Sequence, residues 1–122
     1  ITDCEFAWAA KGIRTNLNTS AVTEFAISRC WFHNCSTYAI GEDSAGSTRD
    51  LAVQDCTFMR MQDGTEPTGY MTLNVGGSNL NTGIVTRCSF PTALAGGKNI
   101  VSTGLHWVCN YHTGGVSNAQ PS

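Results

Sequence analysis

The sequence predicts an all-β chain of short parallel strands wound into stacked turns, and three observations predict it. One phrase recurs as "ITDCEF", "ISRCWF", "VQDCTF", "VTRCSF" and, more loosely, "HWVCNY", which places Cys4, Cys30, Cys56, Cys88 and Cys109 at spacings of 26, 26, 32 and 21 residues. Internal periods of this size are those of stacked repeats. Two places after each cysteine stands an aromatic residue, Phe6, Phe32, Phe58, Phe90 or Tyr111, and in a strand of period two both residues then face the same side, the interior. Charged residues make up only 13% of the 122, Gly, Ser, Thr and Asn are abundant, and no segment sustains a helical period.

Three places before the cysteine stand Ile1, Ile27, Val53 and Val85. An odd offset cannot put two side chains on one face of a straight strand, so a corner must intervene. The residues in it are polar: Thr2 and Asp3, Ser28 and Arg29, Gln54 and Asp55, Thr86 and Arg87. The fifth copy departs, because Leu105, Trp107, Cys109 and Tyr111 alternate without such a pair. It reads as a straightened terminal turn with Trp107 in the core, as end repeats are commonly atypical. Between corners lie short apolar runs such as "TYAIG", "GYMTLNV" and "TALAGG", and the longer third turn places its extra residues in the polar loop "MQDGTEPTG". Residues 1–111 are therefore expected to form the turns, and 112–122 a polar tail reaching a neighbouring subunit. Because the first copy is entered in mid-phrase, the chain reads as the C-terminal part of a longer one.

The phrases "ISRCWFHN", "VQDCTFMR" and "VTRCSF" resemble the rungs of the right-handed parallel β-helix of the pectate-lyase-like family, the solenoid of polysaccharide lyases and bacteriophage tailspikes. The resemblance covers nearly the whole chain, as about four to five rungs with an interior cysteine ladder. It implies a bacteriophage virion structural protein, the β-helical part of a tailspike or tail fibre, that is a homotrimer contacting other virion proteins and host surface polysaccharide. Fold does not fix function. Two alternatives stay open: a polysaccharide lyase or glycoside hydrolase of the same class, secreted or phage-borne, and a capsid-decorating structural protein.

A stack spaced at about 4.8 Å holds aligned Cβ atoms too far apart for a disulfide, which wants about 3.8 Å. Buried thiols acting as small apolar fillers are expected instead. A column of cysteines without any C-x-x-C supplies ligands in a line, so no metal and no cofactor is expected. Several unbridged thiols suit assembly in a reducing cytoplasm, which favours a virion component over a secreted lyase. A net charge of −2 with no basic run gives no footprint for nucleic acid, and no stretch approaches the length of a membrane span.

The residue before the cysteine alternates in sign, as Asp3, Arg29, Asp55 and Arg87, so stacked corners should pair opposite charges. No catalytic residue is assigned. Glu42, Asp43 and Asp50 share the loop "GEDSAGSTRD", expected to be a solvated surface, and Glu24, Asp63 and Glu66 have no partner fixed by spacing. His33, His106 and His112 are dispersed. Sugar binding asks for an exposed aromatic face with hydrogen-bonding neighbours. Trp31, between inward Cys30 and Phe32, should point outward beside Glu5 and Thr57 of adjacent turns, as a carbohydrate or subunit contact. Tyr70 is the next candidate, with Trp8.

Overall fold

The computed structural model describes residues 1–15, 22–42, 48–59, 70–72, 82–91, 100–101, 105–112 and 120–121. They form fourteen strands and no helix. In chain order these are β1 (Glu5–Arg14), β2 (Val22–Thr23), β3 (Ala26–Ser28), β4 (Trp31–Gly41), β5 (Thr48–Arg49), β6 (Leu51–Gln54) and β7 (Thr57–Met59). There follow β8 (Met71–Thr72), β9 (Gly83–Thr86), β10 (Ser89–Phe90), β11 (Ile100–Val101), β12 (Leu105–Val108), β13 (Tyr111–His112) and β14 (Gln120–Pro121).

Every pairing among them is parallel, and together they make three sheets. The first runs β14-β12-β9-β6-β3 and stacks the strands β3, β6, β9 and β12 that precede Cys30, Cys56, Cys88 and Cys109, with β14 added at one edge. The second stacks the strands that follow it: β1, β4, β7, β10 and β13, with β8 and β11 continuing beside the far end of β4. The third pairs β2 with β5. Successive copies of the phrase therefore lie side by side in register, with Ile27 against Val53 and Val53 against Val85 in the first sheet, and Phe6 against Phe32 and Phe32 against Phe58 in the second.

The corner between the two sheets is a single left-handed residue. Asp3, Arg29, Asp55 and Arg87 have φ of 55°, 50°, 55° and 51°. That one reversal turns the chain so that Ile27 and Cys30, an odd number apart, are both buried. A non-glycine residue in this region carries a cost of about 1–2 kcal/mol. Inter-copy hydrogen bonds oppose it: the Arg29 and Asp55 amides donate to the Gln54 and Thr86 carbonyls at 3.1 and 3.2 Å, and the Thr57 and Ser89 amides to the Cys30 and Cys56 carbonyls at 3.0 and 2.8 Å. The cysteine thiol closes the same corner, since the Sγ of Cys4, Cys30, Cys56 and Cys88 each donates to the carbonyl two residues earlier, at 3.2 to 3.4 Å. A small apolar side chain with a weak donor fits this buried turn.

The core sits between the first two sheets. Ile27, Val53, Val85, Leu51 and Leu105 face Phe32, Phe58, Phe90, Ile40 and Met71, all fully buried. Rings of Phe6, Phe32, Phe58 and Phe90 stack face to face at centroid spacings of 4.9, 4.9 and 4.7 Å. That repeat is the strand spacing itself, so in-register pairing dictates the ring geometry. At Gly83, with φ of 151°, an added Cβ would collide with the Leu51 carbonyl of the neighbouring strand, which requires glycine there.

The fifth copy differs from expectation. Val85 pairs with Trp107, Thr86 with Val108, Ser89 with Tyr111 and Phe90 with His112. The corner is kept, and Cys109 occupies its left-handed position with φ of 54°. The column position belongs to Asn110, and Cys109 is exposed. Tyr111 consequently takes an outward place and is 62% exposed rather than packed inside. The backbone of Trp107 lies in the first sheet, while its side chain falls outside the described residues. Within the expected tail, Gln120 and Pro121 add a parallel strand to this chain's own first sheet, against His106 and Trp107.

Candidate functional site: the outward face of the second sheet

Alternation along β4 and β7 buries Phe32 and Phe58 and turns their neighbours outward. Register then assembles two outward rows. In one, Glu5 pairs with Trp31 and Trp31 with Thr57, continuing to Ser89 and Tyr111. In the other, Ala7 pairs with His33 and His33 with Met59. Trp31 is 44% exposed, Met59 is exposed and Thr57 is half-buried. The Trp31 ring leans on the His33 imidazole, centroids 4.3 Å apart and planes 31° apart.

His33 Nε2 lies 2.6 Å from Glu5 Oε1, and the Asn34 side-chain nitrogen lies 2.8 Å from His33 Nδ1. With the Asn34 amide donating to Nδ1, the imidazole carries its proton on Nε2 and donates it to the Glu5 carboxylate. Asn34 is buried and has φ of 55°, a left-handed bend inside β4. Trp8, between the pairs Ala7–His33 and Ala9–Cys35, makes the same bend in β1 with φ of 57°. The bend fixes the Asn34 amide under the imidazole, and this holds the ring and the carboxylate beside the indole.

Both His33 nitrogens are engaged, so the imidazole offers no lone pair to activate a nucleophile. Glu5, its side chain 56% exposed, retains Oε2 as an acceptor. It is the one carboxylate among the described residues of the two rows, whereas glycosidic hydrolysis by the usual route takes two. The arrangement suits stacking and hydrogen bonding of a ligand on an aromatic shelf. No family model, curated protein or solved structure matches this chain.

Beside this face runs the charged corner row. Arg29 donates to Asp3 through Nε at 2.7 Å and Nη2 at 2.8 Å, and Arg87 to Asp55 in the same two-pronged way at 2.8 and 2.9 Å. These hydrogen bonds hold the Asp3 and Asp55 carboxyls below the usual aspartate range. The row is a set of satisfied pairs.

Of the expected contact residues, register brings Glu5, Trp31 and Thr57 together. Tyr70 does not join them: it is 2% exposed, its ring tilted against Phe58 and Phe90 at 6.1 and 5.8 Å, and its carbonyl accepts from the Ala39 and Ile40 amides. It is a core residue because the strand that follows, β8, docks on the inner end of β4. Trp8 is 68% exposed but is itself the left-handed bend residue of β1, outside the paired rows. His33, Met59 and Tyr111 were missing from the expected set, although the two-residue spacing from Trp31 to His33 already placed both on one face.

Within the cysteine column Cys30, Cys56 and Cys88 are buried, and Cys4, on the outermost described copy, is exposed. All six cysteines are unbridged. Burial pushes the Cys30 and Cys35 thiols up, and Cys88 is pushed up by its hydrogen bond with the Cys56 sulfur and by burial. Among the described residues no group of three or more His, Cys, Asp or Glu side chains is arranged to hold a metal. Glu42 is buried rather than part of a solvated loop, and Asp43, Asp63 and Glu66 lie outside the described residues.

Proposed function

We propose that the chain is a right-handed parallel β-helix serving as the rigid shaft of a bacteriophage tailspike or tail fibre, with the Glu5–Trp31–Thr57 face contacting host surface polysaccharide. The observation that carries the reading is the in-register outward row, which holds a half-exposed indole between a carboxylate and a hydroxyl on three adjacent strands. An aromatic plate flanked by hydrogen-bonding groups matches the alternation of apolar ring face and hydroxyl edge on a sugar. Parallel stacking of copies 26 to 32 residues apart supports the solenoid, because each copy is one turn that buries its apolar side only against its neighbours. Six unbridged cysteines support assembly in a reducing cytoplasm, the setting of a virion component.

Glycan-array binding of the wild type and Trp31→Ala tests this reading. Binding that falls at least ten-fold on substitution, with the melting temperature unchanged, is the expected result. Equal binding by both proteins rejects Trp31 as the contact, and product release from a bound polysaccharide would favour the hydrolase or lyase alternative.

A further inference from the structure

Resting on the reading of this face as a glycan contact, we propose that the glycan it takes is free of acidic groups and presents a hydroxyl or ammonium donor to Glu5. The charge on the face decides this. Glu5 is the carboxylate beside Trp31, its side chain 56% exposed, with one oxygen held by His33 at 2.6 Å and the other without a hydrogen bond among the described residues. An acceptor in that position recruits a donor and repels an anion. A uronate, sialate or phosphorylated sugar stacked on Trp31 would need a cation close by. The described residues of the two outward rows are Glu5, Ala7, Trp31, His33, Thr57, Met59, Ser89 and Tyr111, with neither Lys nor Arg among them.

Among the described residues the arginines that flank the rows, Arg29 and Arg87, two places before Trp31 and Ser89, each have two nitrogens on a carboxylate at 2.7 to 2.9 Å. Drawing one toward an anionic ligand would leave Asp3 or Asp55 without its partner. His33 gives its Nε2 proton to Glu5, so it is not a donor for a ligand carboxylate in this arrangement. The shelf therefore discriminates by charge as well as by shape. The indole takes the apolar face of a pyranose ring, the Glu5 Oε2 takes a hydroxyl or an amino group, and the Thr57 hydroxyl serves the opposite edge.

The test is the affinity of the wild-type protein for oligosaccharides of matched length and linkage in three charge states: neutral hexose, the corresponding 2-amino sugar and the corresponding uronate. Neutral and amino forms are expected to bind, with the uronate at least ten-fold weaker, and Glu5→Gln should lose the preference for the amino form and narrow the gap to the uronate. Binding that depends on Trp31 but favours the uronate overturns the charge inference and leaves the contact reading standing. Absence of Trp31-dependent binding to any of the three overturns both.

Discussion

The side-chain amide of Asn110 replaces, at the backbone of Cys88, the thiol that stands in the equivalent place in other copies. Its Oδ1 accepts from the Cys88 amide at 2.8 Å, and its Nδ2 donates to the Val85 carbonyl at 2.8 Å. In the earlier copies the corresponding contacts are long: the Cys30 amide lies 3.5 Å from Cys56 Sγ, Cys56 Sγ lies 3.9 Å from the Ile27 carbonyl, and Cys88 Sγ lies 3.7 Å from the Val53 carbonyl. The amide makes with two good hydrogen bonds the link that a thiol makes weakly. Asn110→Ala should cost about 1–3 kcal/mol, because it leaves a partly buried donor and acceptor without partners. Chemical denaturation checks this, with Asn110→Cys expected to fall between the alanine variant and the wild type.

The corner pairs predict a modest acid sensitivity with a defined sign. The hydrogen bonds from Arg29 and Arg87 hold the folded-state pKa values of Asp3 and Asp55 below the ordinary aspartate range. Such groups contribute stability that is present above the ordinary aspartate pKa and is lost as pH falls through the depressed folded value. Both sites are exposed to solvent, so the effect is small and weakens with salt. Carbon-13 titration of the aspartate carboxyls should show both midpoints moved down, and Arg87→Gln should return Asp55, but not Asp3, to the ordinary range.

The phenylalanine stack predicts a gradient of cost along its length. Phe58 is fully buried, with rings at 4.9 and 4.7 Å on its two faces, whereas Phe6 is half-buried and, among the described residues, stacks on Phe32 alone. Phe58→Ala should cost about 3–5 kcal/mol, the usual range for emptying a core phenylalanine site. Phe6→Ala should cost clearly less, and equal losses in denaturation midpoints would contradict the stacking order.

The first four copies were legible because an apolar residue, a polar pair, cysteine and phenylalanine recur as one unit, and the one left-handed residue in each corner is what makes that odd spacing physically consistent. The fifth was misread because Cys109 and Tyr111 repeat the C-x-aromatic spacing one place out of register. The discriminating signal was Trp107, an apolar residue three places before Asn110 and not before Cys109. Trp31, Glu5 and Thr57 followed from the same alignment, since a period of two fixes which side chains share a face. The Glu5–His33 pair joins residues 28 apart, so it emerges only once register is set. Tyr70 carried no such signal, because its burial depends on where β8 docks after a segment of irregular sequence.

The most direct test of the stacked arrangement is a crystal structure in which the sulfur positions are located by anomalous scattering. The account predicts the sulfurs of Cys30, Cys56 and Cys88 in one line at about the 4.8 Å strand spacing, with Cys4 extending the line and Cys109 displaced from it to the surface. Sulfurs dispersed among separate elements, or neighbouring copies paired antiparallel, would contradict it and would remove the face on which Trp31 stands between Glu5 and Thr57.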